Sequence, residues 1–369
     1  MRFNKIILCI LCSFFMVNLI PLKTYATINV SAEKAILIDQ SSGRILYKKN
    51  HEDQTLIASI TKIMTAIIAI ESGKLHEKTT ISSNAIKTEG SSIYLKENDR
   101  LSIQDLTYGL MLRSGNDAAI AIAEHIGGSE EGFVLLMNEK AEWLGMEDTS
   151  FANPHGLDEE NHFSSAYDMA LLTQYAMKND IFKKIFSTKT YKSQSIEYPW
   201  INKNKLLTRL YESSTGGKTG YTKAAGRTLI STAEKNGQSL IAVTINAPDD
   251  WNDHIYLFEW GFTNYKKQKI PEKNKFRIHI RESNEVIEGE IKDSLLVPLT
   301  ENESENISTK IILSPHYKDK QIIGTKKFYI DEEFIAKLPI YKISEKKERK
   351  SFFELFNTTI DLFLGDQNG

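Results

Sequence analysis

Beyond Cys12 this 369-residue chain has no cysteine. The two it does have, Cys9 and Cys12, fall in an N-terminal stretch that reads as removable. The mature protein therefore has no disulfide to staple it and no thiol for redox chemistry, nucleophilic catalysis or a cysteine metal centre. It also lacks a charge excess. Lys and Arg number 46 against 48 Asp and Glu, a formal net charge of -2, and no basic stripe interleaves with aromatics outside the C-terminal tail, which argues against a nucleic-acid partner. Metal-binding spacing is missing as well. His-Glu-x-x-His does not occur, and His155 and His162 stand on a polar loop with no cysteine or spaced carboxylate, so neither a metal nor another cofactor is implied.

Long apolar runs are scarce. The one near the start, Ile6 to Ile20, follows Arg2 and Lys5 and ends at Thr24-Tyr25-Ala26, whose small residues suit signal-peptidase cleavage before Thr27. A signal peptide over 1–26 and export across the cytoplasmic membrane follow as expectations. The alternative is a retained anchor, since the run is long for a signal core and short for a comfortable span. No lipid-attachment cysteine follows it.

What the chain does have is a set of three short strings in order: Ser59-Ile60-Thr61-Lys62, Ser114-Gly115-Asn116 and Lys218-Thr219-Gly220. Each alone is weak. Ser-x-x-Lys also occurs at Ser31 to Lys34 and Ser344 to Lys347, as about two chance matches would at ordinary Ser and Lys usage, and Ser82-Ser83-Asn84 repeats the second pattern. Most such strings are surface or capping features. Their order and local setting carry more weight. Ser59 opens a run to Ile70 that is apolar nearly all round and stops at Ser72-Gly73, the pattern of a buried helix. Residues three apart on a helix share a face, so the Ser59 hydroxyl and Lys62 amine can meet, and a poorly solvated lysine loses basicity and can deprotonate a serine. No other serine is expected to have a buried lysine partner.

The second string lies between helical segments Ile103 to Leu112 and Ala118 to Ile126. The third follows Ser213-Ser214-Thr215-Gly216-Gly217 and precedes strands Thr228 to Ala233 and Leu240 to Ile245, joined at the hairpin signal Asn236-Gly237. That places Lys218 on a sheet edge, where backbone can pair with an extended peptide. A first domain over 27–265 opens with a hairpin, Ala35 to Asp39 and Arg44 to Tyr47, that would join the late strands in one sheet. From 270 to 342 short alternating strands such as Lys275 to Ile280 and Phe328 to Ile330 indicate a small all-β sandwich with no chemistry of its own. The tail, 346–364, puts Lys346, Lys347, Arg349 and Lys350 ahead of Phe352, Phe353, Phe356, Ile360 and Phe363 at helical spacing. At about 1.5 Å per residue such a helix is too short to span, so it is expected to lie on an anionic membrane surface. Docking on the chain's own β-domain is the alternative.

The three strings, with Ala58 to Thr65, Leu112 to Ala119, Asn153-Pro154-His155-Gly156-Leu157 and Gly216 to Tyr221, resemble the penicilloyl-serine transferases, and among them the low-molecular-mass penicillin-binding proteins that are serine-type D-alanyl-D-alanine carboxypeptidases. Trp200 to Leu207 and Pro248 to Trp251 are most similar to the sporulation-type enzyme of endospore formers. The resemblance implies an α+β fold, a five-stranded antiparallel sheet flanked by helices, with the site where it meets an all-helical part. It implies a peptidoglycan stem pentapeptide as substrate and β-lactams as inhibitors. Ser59 would be the nucleophile and Lys62 its base. Ser114 would relay a proton to the departing D-alanine, and Asn116 would orient the substrate amide and hold Lys62. Lys218 and Thr219 would hold the terminal carboxylate. Gly220 would keep the strand bare for the substrate, and the Tyr221 backbone N–H would join that of Ser59 around the oxyanion. His155 reads as a structural residue of the nearby loop. Some relatives have a basic residue where this chain has Asp249-Asp250-Trp251, so a further carboxylate contact is either weaker or supplied by Arg227. Two rivals share the motifs. A class A β-lactamase also needs a Glu-x-x-Leu-Asn string, absent between Asn116 and Lys218. A β-lactam sensor or wall-binding scaffold would acylate without turning over.

Overall fold

In the computed structural model the described residues are 28–193, 195–270, 274–280, 285–315 and 317–343. The expected signal peptide and basic, phenylalanine-rich tail lie outside them. The chain divides into two compact units: a first holding the described residues to Gln40 and then Ile45–Thr263, and a second holding Ser41–Arg44 and the described residues from Asn264.

The first unit is built on the expected antiparallel sheet. Strands β1 (Lys34–Asp39), β2 (Ile45–Lys49), β3 (Ser214–Thr222), β4 (Gly226–Lys235) and β5 (Gln238–Ile245) lie in the order β2-β1-β5-β4-β3. Asn236 and Gly237 join β4 to β5 with φ of 53° and 73°, the backbone a two-residue hairpin needs to match strand twist. β1 is buried along its whole length, because Ile36 and Ile38 enter the main apolar cluster on one face while its other face is covered too. Helices α1 (Lys62–Glu71), α2 (Ile103–Arg113), α3 (Asn116–Gly127), α4 (Glu130–Leu144) and α5 (Ala166–Ala176) supply most of that cluster, and α6 (Asp250–Asn264) closes the unit. Ser102, Ser129 and Ser165 cap α2, α4 and α5 by accepting a backbone N–H at the third helical position, which satisfies donors that would otherwise be orphaned. One expected boundary moves. The helix expected to open at Ser59 starts as a 3-10 turn, Ala58–Thr61, and becomes α-helical only at Lys62.

The second unit is β-rich. A strand pair, β6 (Lys266–Ile270) with β9 (Leu295–Leu299), faces a five-stranded sheet ordered β7-β8-β12-β11-β10, made of Asn274–His279, Val286–Ile291, Glu333–Lys342, Ile322–Ile330 and Ile307–Leu313. Ile270, Val297 and Leu299 from the pair share one core with Ile291, Phe328 and Leu338 from the sheet, a small sandwich. Its first strand begins a few residues before the expected boundary at 270. No helix among the described residues is long and apolar enough to cross a membrane.

Candidate active site

The mouth of a cleft of about 320 Å³ in the first unit is lined by Ser59, Ser91, Ser114, Lys203, Lys205, Thr219, Gly220, Tyr221, Arg227, Asp250 and Trp251. Three elements converge there: the turn before α1, the link between α2 and α3, and edge strand β3.

Ser59 is held in place from behind. Ala58 takes a φ of 50°, costly for a residue with a Cβ, and its carbonyl is gripped by the Thr61 hydroxyl, which donates to it at 2.8 Å. His162 reinforces this grip. Its Nδ1 accepts from the Ala152 N–H at 3.1 Å, which leaves Nε2 to donate to Thr61 Oγ1 at 2.9 Å. Gly156, at φ 87°, presses on the same carbonyl so closely that a methyl there would sit 2.1 Å from the oxygen.

Lys62 is wholly buried, with Nζ 3.1 Å from Ser59 Oγ. Its amine also donates to Asn116 Oδ1 at 2.7 Å and to the His155 carbonyl. A neutral amine has two N–H donors and one lone pair. These two acceptors take the donors and leave the lone pair facing the serine. Burial is the main force holding the Lys62 pKa well below the ordinary range, and the positive charges of Lys218 and Lys203 push the same way. The amine that sequence spacing put beside Ser59 therefore has its lone pair and its lowered basicity directed at that hydroxyl. His155 is structural, as expected: it lends Lys62 its carbonyl, and burial drives its ring pKa to about 3, so it stays neutral.

Ser114 sits at the end of α2 in the left-handed region, φ 64°, which turns its hydroxyl toward the cleft and lets Gly115 start α3. Asn116 is anchored on both sides, since its amide N–H donates to the Glu89 carbonyl at 2.6 Å while its oxygen holds Lys62.

Strand β3 brings the third string to the site. Lys218, expected at the substrate carboxylate, is 1 % exposed and lies directly behind the cleft residues Ser114 and Thr219. Its ammonium donates to Ser114 Oγ at 3.0 Å and to the Thr219 carbonyl at 2.5 Å. Burial first, then Lys203, lowers its pKa to about 7. Ser114 thus has a buried lysine partner of its own, contrary to the expectation that Ser59 alone would have one. The sequence could not show this, because the pairing joins a helix end to a strand 104 residues away. Gly220 lines the cleft, and a Cβ there would lie 2.4 Å from Thr228 Oγ1 and 2.8 Å from the Ser59 backbone nitrogen, so its bareness also lets β3 close against Ser59. Thr219 and the exposed Tyr221 also line the cleft.

The sequence reading missed Ser91, Lys203 and Lys205, and it named Arg227 only as an option. Lys203 Nζ donates to Ser91 Oγ at 3.2 Å. Arg227 is held by Asp250 at 2.5 Å and lies over the Trp251 ring at 5.5 Å, so where some relatives carry a cation this chain has an aspartate that holds one brought by β4. For Lys203 and Lys205 the only signal was the Trp200 to Leu207 segment, legible as similarity but not as chemistry, and for Ser91 there was none. Among the described residues no cluster of three or more His, Cys, Asp or Glu side chains could hold a metal ion.

Residues 22–249 match the family model described as D-alanyl-D-alanine carboxypeptidase. The chain is 32 % identical over 336 residues to D-alanyl-D-alanine carboxypeptidase DacF of Bacillus subtilis, covering 86 % of each chain. It is 33 % identical over 349 residues to D-alanyl-D-alanine carboxypeptidase DacC of Escherichia coli, covering 88 % of this chain and 86 % of that one. Among solved structures it is similar to penicillin binding protein 5 from Haemophilus influenzae, with a TM-score of 0.73 at 28 % identity, covering 87 % of this chain and 99 % of that one.

Proposed function

Since the chain belongs to the D-alanyl-D-alanine carboxypeptidase family, we propose that it releases the terminal D-alanine of peptidoglycan stem pentapeptides through an ester on Ser59. It is a serine hydrolase of the penicillin-binding type, and β-lactams acylate the same hydroxyl. Ser59 Oγ attacks the carbonyl of the penultimate D-alanine as Lys62 takes its proton. The backbone N–H groups of Ser59 and Tyr221 hold the oxyanion, worth about 3–4 kcal/mol per donor where one has been removed elsewhere. As the amide breaks, Ser114 hands a proton to the departing nitrogen and is resupplied by Lys218, whose pKa near 7 suits both directions of transfer. Thr219 and Arg227 receive the terminal carboxylate. Water then hydrolyses the ester.

The observation that carries this reading is the buried, weakened amine 3.1 Å from a cleft-facing hydroxyl. The test follows D-alanine release from a diaminopimelate-containing pentapeptide together with labelling by fluorescent penicillin. Wild type should do both and Ser59→Ala neither. Labelling without D-alanine release by wild type would instead support the sensor or scaffold.

Location on the outer face of the membrane, through the tail at 346–364, is part of the same proposal and is supported by the tail's basic and phenylalanine composition. Truncation after Lys342 should free the processed enzyme from anionic vesicles with activity intact, and persistent co-sedimentation would contradict it. A role in the spore cortex rests on the Trp200 to Leu207 and Pro248 to Trp251 resemblance, and deletion should alter cortex cross-linking.

A further inference from the structure

The charges that line the catalytic cleft do not balance. Its cations are Lys203, Lys205 and Arg227, while its single carboxylate, Asp250, is already engaged by Arg227 at 2.5 Å. Among the described residues no carboxylate forms an ion pair with Lys203 or Lys205. Behind the cleft stand the amines of Lys62 and Lys218, and the charge of Lys203 pushes the basicity of both down. Like charge is crowded there without a counter-ion.

The segment that carries the two lysines is tied down by its other residues. Asn202 and Asn204, 6 % and 1 % exposed, alternate with the exposed Lys203 and Lys205. Asn202 donates its amide N–H to the Thr188 carbonyl at 3.0 Å and accepts from the Asn204 N–H at 2.9 Å, and Asn204 in turn accepts from the Leu206 N–H at 2.9 Å. The Lys203 N–H donates to the Leu112 carbonyl at 3.1 Å. Asn204 also packs against β3, where a Cβ at Gly217 would lie 2.1 Å from its Nδ2. With both asparagines buried and the backbone bonded at each step, the lysines are left to line the cleft. Lys203 meets Ser91 Oγ at 3.2 Å, and Ser91 is fixed as well. Its carbonyl accepts from the Asn116 N–H at 2.7 Å, and the loop that follows it is held by the Asp117 carboxylate, which accepts from the Ser92 hydroxyl at 2.6 Å and from the Ile93 and Leu95 N–H groups at 3.1 Å.

In the reading above, the terminal carboxylate of the substrate is received by Thr219 and Arg227, which leaves Lys203 and Lys205 unanswered. Both D-alanines have methyl side chains. The nearest place for a second carboxylate is therefore the side chain of the residue before them. We propose that Lys203 and Lys205 receive a carboxylate at that position, so that the enzyme prefers stem peptides whose third residue bears a free side-chain acid over the same peptides with that acid converted to an amide. This rests on the D-alanine-releasing function argued above and leaves its chemistry unchanged. A cleft lined by one sign of charge concentrates a substrate of the other sign and discriminates against a partner that leaves its charges unpaired. An amide fills the same space but is neutral, and its N–H groups find no acceptor on an ammonium.

The test measures D-alanine release by the full processed chain from two diaminopimelate pentapeptides, one with the side-chain carboxylate free and one with it amidated. Wild type should favour the free acid about tenfold in kcat/KM, the scale of one charge-assisted contact. Lys203→Gln combined with Lys205→Gln should bring that ratio to within about twofold of unity, whereas Lys203→Arg combined with Lys205→Arg should keep most of it. Because both substrates are compared within each variant, a partly unfolded preparation lowers both rates and leaves the ratio untouched. A third peptide, amidated only on the α-carboxylate of its glutamate, should be cleaved like the free acid. Equal release from the first two peptides by wild type overturns this inference alone, as does a preference that survives in the double glutamine variant or one that follows the glutamate carboxylate instead. Release from none of the peptides overturns the carboxypeptidase reading and this inference with it.

Discussion

Lys62, Lys218, Asn116, Asp117 and His254 of the first unit are each at most 2 % exposed, whereas from Asn264 onward the side chains buried among the described residues are apolar, such as Val297, Phe328 and Ile340, or aromatic, such as Tyr265. The backbone shows the same contrast. The first unit holds Ala58 and Ser114 at positive φ at the site, while the positive φ values from Asn264 onward, at Asp331 and Glu332, fall where a hairpin turns between β11 and β12. A small apolar sandwich needs little beyond alternation. Two amines buried beside two hydroxyls need a core large enough to keep water away, an acceptor for each remaining N–H, and strain absorbed elsewhere.

The sharpest way to break this contrast is to change the base. Lys62→Arg puts a guanidinium that cannot give up its proton where the neutral amine acts, so acylation by penicillin should fall about 10²–10⁴-fold in stopped-flow measurement, with circular dichroism checking that the variant is folded. A rate above about a tenth of wild type would assign the base elsewhere.

Gly220→Ala tests the close approach of β3. The methyl would meet Thr228 Oγ1 and the Ser59 nitrogen, so the strand must retreat and acylation should drop about 10²-fold, a typical cost of misplacing a reacting group by about 1 Å. Gly237→Ala, at a turn where nothing lies within 4 Å of the added carbon, should leave acylation within about twofold.

Acid should separate the two units. Burial lowers the pKa of His155 and His254 to about 3 and of His162 to about 4, against about 6.5 in an unfolded chain. The unfolded state then binds protons first. The stability these rings contribute is complete above about pH 6.5 and is lost as pH falls toward 4 and 3. All four tryptophans lie in the first unit, so their fluorescence should show its urea midpoint falling across that window. A flat midpoint would mean that the rings are not buried as neutral bases.

The smallest effect on activity is expected in the second unit. Phe328→Ala removes a 2 % exposed ring from its core and should cost about 3–5 kcal/mol of that unit's stability, read by circular dichroism, with D-alanine release unchanged within about twofold.

The sequence showed what local spacing can show. Ser59 and Lys62 are three apart, Asn236-Gly237 is a turn on its own terms, and the Ile60 to Ile70 run admits only a buried helix. It did not show that the Lys218 amine reaches Ser114, that a Cβ at Gly220 would meet the Ser59 nitrogen, or that Arg227 and Asp250 meet. Those facts depend on which residues two distant elements bring together, and no periodicity encodes that. The Ser91 to Leu95 loop was missed for a related reason, because its anchor, Asp117, lies 22 to 25 residues away in sequence.

Because Ser59 and Ser114 each have a buried lysine within 3.1 Å, the most direct test is to map the acyl group itself. The protein would be acylated with penicillin, digested, and the modified serine located by tandem mass spectrometry. The adduct is expected on Ser59, with Ser114→Ala still labelled there at a slower rate and Ser59→Ala unlabelled. An adduct on Ser114, or labelling that survives Ser59→Ala, would contradict the assignment of Ser59 and Lys62 as nucleophile and base.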